Sequence, residues 1–149
     1  MVSTEQKQKY QAYAAATQTV ARTKQIVMLY DGAIRFLQQA KEAISEQRIE
    51  DRYKMLTKAS DIIMGLQSCL DFDSGGNVGR VLYNFYSTID SRIFAIHRSS
   101  DVEACEQVIA DLKRMRDVWH EIDQNPPAEI APVTQPKVSN GDENITISA

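Results

Sequence analysis

One helix-length run, Ile26-Val27-Met28-Leu29-Tyr30-Asp31-Gly32-Ala33-Ile34-Arg35-Phe36-Leu37-Gln38-Gln39-Ala40, constrains the fold of this chain more than any other stretch. Ile26, Tyr30, Ala33, Leu37, Ala40 and Ile44 recur at steps of three and four, the stripe of a helix packed on a core. Val27 and Ile34 flank that stripe on one side, and Leu29, Phe36 and Ala43 flank it on the other. At about 100° of rotation per residue the apolar arc covers roughly 200°, about twice what a core-facing helix needs. Lys41 is its polar interruption. An arc this wide predicts a helix that packs a core and still offers apolar surface to a partner.

The rest of the chain supplies three more helices. All four prolines lie between Pro126 and Pro136, so the 125 residues before them are proline-free. Helix one is expected to take Thr23 as N-cap and run to about Glu46. Helix two spans about Glu50 to Leu70, with Leu56, Ala59, Ile63, Leu66 and Leu70 on one face. Asp73-Ser74-Gly75-Gly76 reads as a breaker, with Ser74 or Asn77 capping helix three, which runs to about Arg98. That helix carries Val78, Leu82, Phe85, Ile89, Ile93 and Ile96 as a core seam, with Val81, Tyr86 and Phe94 as a second apolar set. Ser100 and Glu103 form a capping box for helix four, whose seam is Cys105, Val108, Leu112, Met115, Trp119 and Ile122, ending near Asp123. Short connections make consecutive helices antiparallel neighbours, so the expected fold is an all-α, up-down four-helix bundle. The expected division is a flexible N-terminal segment (1–22), the bundle (23–124) and a Pro-containing disordered tail (125–149).

Composition narrows the function. A net charge of −3 gives no electrostatic footprint for nucleic acid or an anionic membrane. No apolar run is long enough to span a bilayer, and Met1 to Tyr13 lacks the apolar stretch of a signal peptide. Cys69 and Cys105 read as reduced core thiols, and the expected compartment is the cytosol. A di-iron bundle needs inward Glu-x-x-His pairs, and neither His97 nor His120 follows a Glu by three. The cysteines form no CxxC, Gly75-Gly76-Asn77-Val78-Gly79 lacks the strand and lysine of a phosphate loop, and no GxSxG elbow occurs. Neither a metal, a cofactor nor an enzyme activity is expected.

Four runs resemble a known family. Leu29-Tyr30-Asp31-Gly32-Ala33-Ile34 followed by Phe36-Leu37 closely resembles the signature of the flagellin-specific export chaperones, the FliS family. Gln18-Thr19-Val20-Ala21 is similar to the run just upstream. Leu70-Asp71-Phe72-Asp73-Ser74-Gly75-Gly76-Asn77-Val78-Gly79-Arg80-Val81-Leu82-Tyr83 resembles the stretch between the second and third helices, and Met115-Arg116-Asp117-Val118-Trp119 a run near the end of the last. Where the family usually has Ser-Pro before its first helix, this chain has Arg22-Thr23. The resemblance implies a cytosolic export chaperone. Its client would be the C-terminal segment of newly made flagellin, which is disordered when alone. It would prevent premature polymerisation and help deliver flagellin to an export-gate protein of the flagellar secretion apparatus. The alternative is a related helical module that binds another flagellar or secretion component, a co-chaperone or a regulator of flagellin synthesis.

The surplus apolar positions are the candidate groove: Ile26, Leu29, Tyr30, Phe36, Val81, Tyr86 and Phe94. Tyr30 and Tyr86 are expected at its edge, rings buried and hydroxyls at the surface. Tyr10 and Tyr13 stand in a polar leader where no core demands aromatics. By resemblance, they would cap the groove until the client displaces them. Whether the empty protein is a homodimer, exchanging its N-terminal segment, stays open.

Overall fold

The computed structural model describes the backbone of residues 3–125, and the side chains of residues 3–5, 22–71 and 77–125. With no proline in this stretch, helix is interrupted only at three short links, residues 46–48, 69–71 and 100–101. The elements are α1 (Thr4–Ser45), α2 (Ile49–Ser68), α3 (Phe72–Ser99) and α4 (Val102–Gln124). α1 packs on α2 and α4, while α3 closes the opposite corner with broader contact to α2 than to α4. The result is the expected antiparallel up-down bundle.

Each reversal has its own chemistry. At the end of α1, Gln47 takes a left-handed φ of 57°. Its amide then bonds Ile44 and the Arg48 amide bonds Ala43, the paired pattern of a Schellman ending. Ser100, with φ 53°, ends α3 similarly, its amide bonding the Ile96 carbonyl at 2.9 Å. Asp101 then caps α4, its carboxylate accepting from the amides of Glu103 and Ala104. The expected Ser100–Glu103 capping box therefore does not form, because Ser100 is spent on ending the preceding helix.

Two helix starts also differ from the sequence expectation. α1 begins at Thr4, and Thr23 lies inside it rather than capping it. The residues before Thr23 are mostly Gln, Lys and Ala, good helix formers with neither Gly nor Pro to stop propagation. α3 begins at Phe72, so Ser74 to Asn77 lie within it rather than breaking or capping it. Two glycines cost about 1 kcal/mol each in a helix interior, too little to stop a packed one. The ion pairs Asp31–Arg116 and Lys41–Glu106 set one register between α1 and α4. By that register, Gln124 lies level with Thr23, and Thr4–Arg22 continues roughly 28 Å past the end of α4.

The wide apolar arc of α1 is mostly consumed by the bundle. Tyr30, Ala33, Leu37, Ala40 and Ala43 are fully buried, and Val27 and Ile34 nearly so. Gly32 lets Ile62 of α2 approach closely, and Phe36 packs half-buried beneath the Lys58 ammonium of α2. One helix here serves two neighbours and reaches a third, which needs a broader stripe than a single interface does. Of the arc, only Leu29 remains exposed, beside its neighbour Met28.

Candidate functional site

Tyr30 and Tyr86 do not line a groove. Both are buried, and the Tyr30 hydroxyl donates to the Tyr86 hydroxyl at 2.8 Å across the bundle interior. Facing hydroxyls satisfy one another there, so neither needs the surface. Burial pushes both phenols above their ordinary value, and for Tyr30 the neighbouring Tyr86 adds to the rise. The Trp119 indole approaches the Tyr30 hydroxyl and acts in the other direction, yet its buried Nε1 lacks a full hydrogen bond. Ile26 and Phe36 are half-buried against the core. Leu29, Val81 and Phe94 are exposed as expected. Tyr10 and Tyr13 belong to the N-terminal part of α1, and their side chains lie outside the described ones.

Val81 and Phe94 do not share a face. Val81 lies on the flank of α3 that also carries Arg92, whose guanidinium bonds Asp111 of α4 at 2.6 Å. Phe94 lies on the opposite flank with Tyr83, Ser87, Asp90 and His97, facing α2. There Ser60 bonds Asp90, Gln67 bonds Ser87 and the Tyr83 carbonyl, and Tyr53 rests its ring on His97 at 5.5 Å. Burial, then the nearby Arg52, hold the His97 imidazole below its usual value. α3 thus presents apolar side chains on both flanks, with polar links between them on the α2 side.

The α3–α4 flank has a further property: its apolar residues are covered at one end and more exposed at the other. Ile89, Ile93 and Ile96 are 1% exposed, and Cys105, Val108 and Leu112 opposite them are fully buried. Towards the start of α3, Val78 and Val81 are 64% and 62% exposed and Phe85 is only half-buried. Val78 was expected in the core and lies outside it. On α4 the seam residues Met115 and Trp119 are likewise only partly covered, Ile122 is partly exposed, and Val118 is half exposed. The Arg92–Asp111 register puts Phe85 level with Val118 and Val81 level with Ile122, so partly or fully exposed apolar side chains of both helices stand at the same levels. Helical spacing could have flagged Val118, which sits beside the seam, but not that it stays half exposed.

Among the described residues no three His, Cys, Asp or Glu side chains come together as a metal cluster, and no helix is long and apolar enough to cross a membrane. Cys69 and Cys105 are both free thiols; Cys105 is buried in the core as expected, but Cys69, at the end of α2, is exposed rather than in the core. Burial pushes the Cys105 thiol up to about 11, and it donates to the Leu37 carbonyl.

Known proteins resemble the chain over the same bundle. The family model for flagellar protein FliS matches residues 5–126. The flagellar secretion chaperone FliS of Vibrio cholerae is 33% identical over 104 residues, spanning 70% of this chain and 74% of that protein. Its counterpart in Campylobacter jejuni is 26% identical over 117 residues, spanning 78% and 91%. That of Escherichia coli is 29% identical over 117 residues, spanning 74% and 86%. The family is one of chaperones, not enzymes. With most of its length covered by the family model, this chain belongs to the flagellar protein FliS family.

Proposed function

We propose that this chain is a cytoplasmic export chaperone that binds the C-terminal segment of newly made flagellin. Held on the bundle, the segment is kept from premature polymerisation until it reaches an export-gate protein. The observation that carries this reading is the apolar surface on both flanks of α3 within a chain whose relatives are named flagellar secretion chaperones. A disordered segment that folds into short amphipathic helices can lay them in such tracks, one beside α4 and one beside α2. Ordering the segment costs free energy on binding, so the complex can be specific and still release its client.

Calorimetric titration tests the reading. Full-length flagellin is expected to bind with a large negative heat-capacity change, and flagellin shortened at its C-terminus is expected not to bind. Val81→Asp and Phe94→Asp, both at exposed positions, are expected to weaken that binding while the far-ultraviolet helical signal persists. Equal binding of both flagellins would move the contact elsewhere on the client, and binding of neither would reject flagellin as the partner.

A further inference from the structure

Among the described residues, Arg52 is a cation in contact with a hydroxyl and with no carboxylate. It lies on the core stripe of α2 one turn before Leu56, and its guanidinium reaches across the end of the bundle to donate to the Ser100 hydroxyl. A hydroxyl places a guanidinium but leaves its charge uncompensated. The Arg52 Nε is buried and bonds nothing. The carboxylates of the two nearby links and of the first turn of α2 are already engaged. Glu46 and Asp51 hold Arg48, Glu50 holds Lys54, and Asp101 accepts from the amides that open α4. The Arg52 charge also lies close enough to His97 to act on it, so guanidinium and imidazole are neighbours that one carboxylate can serve together.

Apolar surface adjoins this charge. Tyr53 rests its ring on His97, and Ile49, Tyr53 and Phe94 are 68%, 61% and 64% exposed. The Tyr53–His97, Ser60–Asp90 and Gln67–Ser87 contacts fix one register between α2 and α3. In that register Phe94 stands one turn beyond Tyr53, and Ile49 one turn before it. The three side chains make a strip about 10 Å long, two helical turns, which matches the i, i+4, i+7 anchors of an amphipathic helix.

We propose that this strip docks an amphipathic helical segment of a partner protein, and that a carboxylate on the segment's apolar face pairs with Arg52 beside His97. Charge complementarity selects the occupant. A wholly apolar segment would cover the guanidinium and leave it uncompensated, whereas one with a carboxylate at that level supplies what the surrounding residues do not. Phe94 also belongs to the track beside α2 on which flagellin is proposed to lie. The inference does not rest on flagellin, because its test uses a synthetic partner.

The full-length protein is titrated with two short synthetic helical peptides of leucine and alanine that differ in one central residue, glutamate or glutamine. Calorimetry is expected to show the glutamate peptide binding roughly fivefold or more tightly, with the preference shrinking as salt rises. In Arg52→Gln, checked for its helical signal, the two peptides are expected to bind alike, and Tyr53→Ser is expected to weaken both. Should Arg52→Gln lose its helices, the wild-type protein still decides. The glutamate peptide is expected to raise the midpoint of the His97 ring titration followed by NMR, and the glutamine peptide to leave it in place. Equal affinity of the two peptides, an unmoved His97, or a preference that survives in folded Arg52→Gln would overturn the proposal. So would a dimer in sedimentation that the glutamate peptide dissociates, which would make a second copy of this chain the occupant.

Discussion

The Tyr30–Tyr86 hydroxyl pair is a polar constraint inside the bundle. It joins diagonal helices, α1 and α3, through one bond of 2.8 Å in an otherwise apolar core. Removing either hydroxyl strands the other in a buried site, so Tyr30→Phe and Tyr86→Phe are each expected to cost about 1–2 kcal/mol in urea unfolding. The double variant is expected to cost clearly less than the sum, since no hydroxyl is then left unpaired. The sequence placed Tyr30 on the core stripe of its helix, where it is. It could not say where the hydroxyl goes, because the partner lies 56 residues away and faces it only once the bundle has assembled. A phenol reads from sequence alone as amphipathic, which is why both tyrosines were expected at a groove edge.

At the scale of elements, the helix faces and most helix ends were legible, while the starts of α1 and α3 and the residue that caps α4 were not. Leu56, Ala59, Ile63 and Leu66 on α2, and Cys105, Val108 and Leu112 on α4, are buried as their spacing requires. Periodicity sums over many residues, so one ambiguous position hardly disturbs it. An end rests on one or two residues that compete. Ser99, Ser100 and Asp101 could each cap α4, and the left-handed turn at Ser100 leaves the task to Asp101. Asp101→Ala is accordingly expected to cost about 1 kcal/mol, measured by thermal or urea unfolding, with Asp101→Asn close to neutral. The starts of α1 and α3 were misplaced for a related reason. A favoured capping residue and a glycine pair mark where a helix can stop, not where it must.

For the whole molecule, the Arg92–Asp111 link between α3 and α4 is one point that responds to acid. Arg92 beside Asp111 holds that carboxyl below its ordinary value, with help from Arg114. A depressed carboxyl contributes stability above its unfolded value of about 4, and that contribution is lost as pH falls through the folded value. The stability gap between wild type and Asp111→Asn is therefore expected to be present at neutral pH and to close in acid, as followed by urea midpoints across the range. Fold class and helix number were legible in the sequence at this scale. The exposure of Val78 and Val118 was not, because both lie on or beside a core seam and only the assembled bundle decides how far each seam is covered. Its consequence is a division of labour along the long axis. The half holding Ile89 to Ile96 and Cys105 to Leu112 carries the tight packing, so substitutions there are felt as unfolding. The half holding Val78 to Phe85 and Met115 to Ile122 leaves more apolar surface exposed, so substitutions at Val78, Val81 and Val118 are expected to change what the chain binds more than whether it folds.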